Sequence, residues 1–308
     1  MYFSAFKNTI ENTVGKGYLY QFSEFIKKLP CDHDIHYLEV DLRALYVPDI
    51  TIGYNSHSLP TRLTEFEYSE TVYKQLLKFC NLPIIERPAF VWLEADKMSM
   101  ENVGIHTSID HKGMFVSVIP GYEKNTCIKY SELHGAELNE FEFFVDTFYA
   151  QKTRNEKIIH ISCLNRNNRP TLKYHTHVEI VNILPLLKHF EWKGDLEQVQ
   201  QLVDQFKDKL FLSSVYIDFS VRDNRLLNKL GFYISKQISQ NEEENSKKII
   251  TTGIKEFCSL NQEIIDQLTL EIKNSAFENQ WLDLKLVLED ENTYLKLYFG
   301  EKKLKPIK

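Results

Sequence analysis

Apolar and polar residues alternate most regularly near the end of the chain. Residues 281–299 read WLDLKLVLEDENTYLKLYF, with apolar side chains at every second position on both sides of the polar stretch 289–292. A period of two places one class of residue on each face of a β-strand, and a short polar stretch between two such runs is typical of a hairpin turn. The segment therefore predicts an antiparallel hairpin with one apolar face.

Four further segments repeat this pattern. They are 213–236, 158–180, 103–120 and 35–54. The last is the least regular, because it contains Pro48 and proline cannot donate a hydrogen bond to a central ladder. Together the five segments predict five hairpins, and a further strand is predicted over Phe90–Glu94, before the 103–120 hairpin.

Helical patterns fill the stretches between the hairpins. Apolar residues spaced by three and four positions predict helices over 68–80, 137–152, 183–191, 195–209, 241–258 and 261–274, and two short helices over 3–29 separated near Gly15–Gly17. Asp195 precedes its helix as a good N-cap. The order of elements is therefore a helical stretch followed by a hairpin, repeated along the chain without a linker.

This order predicts an α/β (α+β) fold of repeated ααββ units, folded as a single domain over residues 1–308. The apolar hairpin faces are expected to pack beneath the helices, which leaves the polar, tyrosine-rich faces for a solvated interior. Five hairpins side by side form an antiparallel sheet of about ten strands, and closing it into a barrel removes its edges and leaves room for a ligand chamber. A two-domain α+β protein without a barrel stays open as an alternative.

Composition and charge narrow the possible partners. The net charge is -6 and the sequence has no long run of Lys and Arg, which argues against duplex nucleic acid as a partner. The 5 cysteines are widely spaced without a CxxC pair, which predicts reduced thiols and a cytoplasmic protein. The sequence has no signal-peptide pattern and no apolar run of about 18 residues, so membrane insertion is not expected.

The repeated units resemble the ABBA-fold prenyltransferases, which include aromatic, indole and cyanobactin-type peptide prenyltransferases. The strings VYIDFSVRDNRLLNKLGFYISK at 215–236 and LKLVLEDENTYLKLYFG at 284–300 look like hairpins of that family, and Lys296–Phe299 matches its frequent Lys-x-Tyr-Phe strand end. The resemblance implies a ten-stranded barrel ringed by helices. It also implies transfer of an isoprenyl group from an allylic diphosphate, such as dimethylallyl diphosphate, to an aromatic small molecule or a peptide side chain.

The residue types suit this chemistry. A leaving diphosphate needs Lys or Arg donors, an allylic cation needs aromatic faces, and the acceptor loses a proton to a carboxylate. The candidates are Lys173, Lys285 and Lys296 for the diphosphate, Tyr174, Tyr216, Tyr233 and Tyr298 as shielding rings, and Glu39, Asp41 and Asp218 as the base. In the family the acid often lies on the first hairpin, where Glu39 and Asp41 stand. Adjacent residues point to opposite faces, so at most one of Lys173 and Tyr174 lines a chamber.

Plainer interpretations stand beside these. A lysine that alternates with apolar residues commonly lies on the solvent-facing side of a half-exposed sheet, and a tyrosine is commonly a packing residue. His160, His175 and His177 could bind zinc, but ordinary strand histidines are favoured because a fourth ligand is missing. No resident metal or cofactor is expected, with Mg²⁺ carried by the diphosphate left open. A non-catalytic barrel that binds a ligand or peptide and assists a biosynthetic pathway is the alternative function.

Overall fold

The computed structural model describes residues 7–28, 35–43, 49–55, 74–75, 78–79, 104–110, 113–119, 128, 158–166, 169–222, 225–234, 243–275, 280–290 and 292–302. The helices are α1 (Lys7–Val14), α2 (Tyr18–Lys27), a 3-10 turn (Ile180–Asn182), α3 (Ile183–His189), α4 (Leu196–Asp208), α5 (Glu243–Phe257) and α6 (Gln262–Asn274). The strands are β1 (Ile35–Asp41), β2 (Asp49–Asn55), β3 (Gly104–Asp110), β4 (Gly113–Ile119), β5 (Ile158–Arg166), β6 (Arg169–Glu179), β7 (Ser214–Arg222), β8 (Arg225–Tyr233), β9 (Gln280–Glu289) and β10 (Asn292–Lys302).

All strand pairs are antiparallel. The order is β1-β10-β9-β8-β7-β6-β5-β4-β3-β2, and β1 pairs with both β10 and β2, so the order returns to its start. The five predicted hairpins are confirmed as β1–β2, β3–β4, β5–β6, β7–β8 and β9–β10. The predicted mixture of helices with an antiparallel sheet is confirmed as well.

The helices cover the apolar face of the sheet. Phe206 of α4 packs edge-on against Phe232 of β8 with ring centroids 5.5 Å apart, and Phe190, after α3, lies 5.8 Å from Phe219 of β7. Helix α5 approaches β9 so closely that a Cβ on Gly253 would lie 2.7 Å from Leu284 Cδ2. The prediction that the apolar hairpin faces lie beneath helices is therefore confirmed on these strands.

The two short helices at the start of the described chain are separated by glycines. Gly15 and Gly17 have φ values of 109° and 83°, which lie in the left-handed region that favours glycine. The predicted break near Gly15–Gly17 is confirmed.

Three predicted elements fall wholly or mostly outside the described residues. These are the strand over Phe90–Glu94, the helix over 137–152, and most of the helix over 68–80, of which 74–75 and 78–79 are described and helical. Among the helices that are described, none has both the length and the apolar character needed to cross a membrane.

Helix α4 begins at the cap that the sequence predicts. The Asp195 carboxylate accepts hydrogen bonds from the backbone N–H groups of Glu197 at 2.8 Å and Gln198 at 3.0 Å. We expect Asp195→Ala to lower the free energy of unfolding by about 1 kcal/mol, measured by urea denaturation. Asp208→Ala at the opposite end of α4 is the control, because a carboxylate at a helix C-terminus is not stabilising. Equal losses in the two variants would contradict the capping role.

Candidate functional site

The face of the sheet opposite the helices carries a continuous set of polar and aromatic side chains on six neighbouring strands. We call this set the polar face. Its members are Glu39 and Asp41 on β1, Lys173, His175 and His177 on β6, Tyr216 and Asp218 on β7, Lys229, Gly231 and Tyr233 on β8, Asp283, Lys285 and Glu289 on β9, and Tyr294, Lys296 and Tyr298 on β10. Its centre is withdrawn from water, since Asp218 is only 1% and Lys285 only 3% exposed.

Two lysines share one carboxylate at the centre of the polar face. Lys285 of β9 forms an ion pair with Asp218 Oδ2, and Lys173 Nζ of β6 lies 3.4 Å from Asp218 Oδ1. Buried charges of this kind occur in proteins when they are paired, because an isolated one is strongly penalised. The arrangement holds two ammonium groups side by side from strands that are not neighbours.

The two lysines decide the ionisation of Asp218. Burial alone would raise the pKa of this carboxyl, but the charges of Lys173 and Lys285 outweigh burial and hold the pKa far below its usual range. Burial lowers the pKa of Lys173, and repulsion from Lys285 adds to this while Asp218 opposes it. Asp218 is therefore an ionised carboxylate with little tendency to take a proton.

Gly231 makes the ion pair between β7 and β9 possible. It lies on β8, directly opposite Asp218 of β7 on one side and Val287 of β9 on the other. A Cβ at this position would lie 2.2 Å from Lys285 Cε and 2.5 Å from Asp218 Oδ2. The space above the glycine backbone is thus the passage through which Lys285 crosses β8.

Aromatic rings border the ion pair. The Lys285 ammonium lies 3.3 Å from the Tyr233 hydroxyl and 4.7 Å from the centroid of that ring. The rings of Tyr233 and Tyr298 are 6.0 Å apart. Burial, with the nearby charges of Asp218 for Tyr233 and Glu39 for Tyr298, raises the pKa of both phenols well above the usual value. Both tyrosines are therefore neutral hydrogen-bonding groups with apolar rings.

A second lysine–carboxylate pair lies next to these rings. Lys296 of β10 forms an ion pair with Glu39 of β1, and each side chain is 18% exposed. Glu39 stands opposite Tyr298 in the β1–β10 register. The sequence candidates Glu39, Lys296 and Tyr298 are thus brought together by this strand pair.

The polar face also carries two histidines beside tyrosines. The ring of His177 lies 4.7 Å from that of Tyr216, and the ring of His175 lies 5.8 Å from that of Tyr233. In the part of the chain that the structure describes, no group of three or more His, Cys, Asp and Glu side chains is placed to hold a metal ion. The side chain of His160, the third histidine considered from the sequence, is outside that part.

Asp41 lies at the edge of the polar face, away from the buried pair. It is 24% exposed and is bound by the Arg43 guanidinium, with Arg43 Nη2 2.6 Å from Asp41 Oδ2. Burial opposes ionisation, but the hydrogen bonds from Arg43 outweigh it and lower the pKa of Asp41. Arg43 also stacks 3.5 Å from the centroid of the Tyr294 ring.

A group that the sequence analysis did not select lies at the same edge. The Tyr294 hydroxyl donates a hydrogen bond to Glu289 Oε2 at 2.7 Å, and Lys229 Nζ lies 2.8 Å from Glu289 Oε1. Burial and the neighbouring Glu289 raise the pKa of Tyr294. The sequence does contain a signal for this group. Glu289 and Tyr294 alternate with the leucines of β9 and β10, which places both side chains on the polar face.

The structure corrects the prediction that Tyr174 is one of the shielding rings. It is 0% exposed, and its ring stacks on Phe219 with centroids 5.5 Å apart, on the face that the helices cover. Strand parity is the cause: Lys173 points to the polar face, so its neighbour Tyr174 points to the apolar core. Tyr174 is a core residue and has no place in the candidate site.

Comparison with known proteins finds similarity in fold. No protein-family model matches the sequence, and no curated protein matches it. The crystal structure of the NotF prenyltransferase is similar, with a TM-score of 0.50 and 11% sequence identity, over 98% of this chain and 93% of that one. The chain therefore has a prenyltransferase-like fold.

Proposed function

We propose that this protein is a prenyltransferase that binds an isoprenyl diphosphate and its acceptor in a chamber enclosed by the ten strands. The observation that carries the proposal is that three lysines, three tyrosines and two carboxylates come together on the polar face. The prenyltransferase-like fold supports it. The donor is an allylic diphosphate of dimethylallyl or geranyl length, and the acceptor is an aromatic small molecule or a peptide side chain.

Lys173, Lys285 and Lys296 are the proposed ligands of the diphosphate. Lys173 and Lys285 both reach Asp218, and Lys285 and Lys296 are direct partners in the β9–β10 register. Ammonium groups at such spacing donate charge-assisted hydrogen bonds to several phosphate oxygens at once. They stabilise the negative charge that develops when the bond to the leaving diphosphate breaks. Mg²⁺ carried by the diphosphate is compatible with this role.

The tyrosines shield the cation. When the allylic C–O bond breaks, its electron pair leaves with the diphosphate and the carbon skeleton becomes a cation. Tyr233, Tyr298 and Tyr216 offer ring faces to that cation and exclude water from it. Their hydroxyls stay neutral, because burial raises the pKa of each phenol.

Glu39 is the proposed base. The acceptor's nucleophilic carbon or heteroatom forms a bond to the allylic cation, and the proton it then loses passes to the Glu39 carboxylate. Asp218 is a poorer choice because its pKa is held far below the usual range by two lysines. Asp41 is a poorer choice because Arg43 binds it at the exposed edge.

One observation favours the alternative function, a non-catalytic binding protein. Each proposed diphosphate ligand already contacts a carboxylate: Lys173 and Lys285 contact Asp218, and Lys296 contacts Glu39. Such a face also suits a neutral or weakly polar ligand. Native mass spectrometry of the freshly purified protein separates the two functions, because a retained apolar ligand without turnover supports binding alone.

The direct test of the proposed function uses the donor. We expect dimethylallyl or geranyl diphosphate to raise the melting temperature and to release diphosphate when an acceptor is present. Lys296→Ala should weaken donor binding by about tenfold or more, since a hydrogen bond to a charged group is lost. Lys207→Ala, on the exposed side of α4, is the control and should bind normally. The proposal is wrong if neither donor shifts the melting curve and neither is consumed.

A further inference from the structure

One internal carboxylate occupies the position that a ligand anion would take. Asp218 contacts Lys285 through Oδ2 and Lys173 through Oδ1, so each carboxylate oxygen faces one ammonium. A phosphate group offers the same pattern, with two oxygens directed at two cations. The Asp218 carboxylate therefore stands where a bound phosphate would be most stabilised.

The surroundings of Asp218 leave no room for both anions on the same lysines. On β6 it faces Lys173 and His175, on β8 it faces Gly231 and Tyr233, and on β9 it faces Lys285. The carboxylate is 1% exposed, and Lys285 fills the space above Gly231. A second anion placed next to the ionised carboxylate in this buried setting would be strongly repelled.

We propose that Asp218 is a built-in competitor for the anionic ligand: it holds Lys173 and Lys285 in place until a diphosphate displaces it from them. This inference rests on the proposed function, because it takes these lysines as the diphosphate ligands. Asp218 then sets the affinity of the site and offsets the repulsion between the two ammonium groups while it contacts them. It is a positioning residue and not the base.

The competitor role predicts a gain in affinity when the charge is removed. Asp218→Asn keeps the shape of the side chain and its ability to accept hydrogen bonds, but removes the negative charge. We expect the variant to bind inorganic pyrophosphate about tenfold more tightly than the wild-type protein, measured by isothermal titration calorimetry. A residue that only supports the lysines would give the opposite sign, because its loss would leave them disordered.

The control variant removes one negative charge from a site outside the polar face. Glu256→Gln removes a carboxylate from the ion pair with Lys209 on the helical layer, so the net charge changes equally. Its affinity for pyrophosphate should match that of the wild-type protein. An equal gain in Glu256→Gln and Asp218→Asn would mean that net charge alone is responsible, and it would overturn the inference.

The outcomes separate this inference from the proposed function. Tighter binding by Asp218→Asn supports both, including the case in which only the variant binds. Equal or weaker binding by the variant overturns the competitor role and leaves the diphosphate site standing. Absence of pyrophosphate binding in both proteins overturns both.

A second measurement covers the case in which Asp218→Asn does not fold. In the wild-type protein with ¹³C-labelled aspartate, the Asp218 carboxyl resonance, assigned with Asp218→Glu, should shift when pyrophosphate saturates the site. A resonance that stays in place while pyrophosphate binds would show that the carboxylate is not displaced.

Discussion

Replacing Lys285 with methionine is expected to lower the free energy of unfolding by about 3 kcal/mol. The ammonium is 3% exposed and forms an ion pair with Asp218, which is 1% exposed. Methionine fills a similar volume, so the loss comes from a buried carboxylate that loses the closer of its two lysines and keeps Lys173 at 3.4 Å. Chemical denaturation followed by circular dichroism measures the difference.

A surface ion pair provides the matched control. Lys209 and Glu256 also form a close pair, but their side chains are 45% and 34% exposed. We expect Lys209→Met to change the free energy of unfolding by less than about 1 kcal/mol, because water screens the charges and solvates the partner that remains. Similar losses in Lys285→Met and Lys209→Met would show that burial of the central pair contributes nothing.

The pH dependence gives the Lys285 prediction a second readout. The pKa of Asp218 is lower in the folded protein than in the unfolded chain, so its contribution to stability is present above about pH 4 and is lost as the pH falls below that. The stability difference between wild type and Lys285→Met should therefore shrink as the pH is lowered below about 4. A constant difference would assign the loss to packing.

A double variant separates stability from binding. Replacing a buried ion pair with apolar residues of similar volume is commonly neutral or stabilising. We therefore expect Lys285→Met combined with Asp218→Leu to recover most of the stability lost in Lys285→Met. Pyrophosphate binding should stay weak in the double variant, because a proposed ligand of the diphosphate is missing.

The hairpins could be predicted from the sequence because alternation is a local property. The run around Leu284 and Leu286 needs no knowledge of distant residues to show two different faces, and helix α4 shows its own N-cap at Asp195. The same parity rule states that Lys173 and Tyr174 point to opposite faces. It does not state which face meets the helices, and that was decided by contacts such as Phe206 with Phe232.

The candidate site could be predicted only in part, because its members meet through strand register. Lys173, Asp218 and Lys285 lie on β6, β7 and β9, and their contact depends on how three ladders align. The sequence also gives no measure of environment. Asp218 and Glu39 are both carboxylates among tyrosines, yet Asp218 faces two lysines and Glu39 faces one.

The role of Gly231 could not be predicted for the same reason, because it depends on side chains that other strands bring to it. An isolated glycine inside a strand pattern signals a bulge or a close approach by another group. The sequence LNKLGFY contains that signal, but it does not identify the approaching group. The structure does: Lys285 crosses β8 at this point to reach Asp218.

The Gly231→Ala variant is expected to lose about 2–3 kcal/mol of unfolding free energy. The new methyl group would lie 2.2 Å from Lys285 Cε and 2.5 Å from Asp218 Oδ2, so at least one partner has to move and the ion pair is broken. Such a loss would be unusual, because replacing a strand glycine with alanine is otherwise favourable by about 0.5–1 kcal/mol. Thermal and chemical denaturation measure the sign directly.

The double variant Gly231→Ala with Lys285→Ala tests whether the glycine acts through the lysine. Truncating Lys285 removes its Cε atom, which would lie 2.2 Å from the new methyl group, and lets the Asp218 carboxylate turn towards Lys173. In that background the methyl group should lower the free energy of unfolding only slightly. The two changes should therefore combine to about the loss of Lys285→Ala alone, both in unfolding free energy and in pyrophosphate affinity. Additive losses would mean that Gly231 serves only the backbone of β8, whereas non-additive losses make it the residue that positions Lys285 on the polar face.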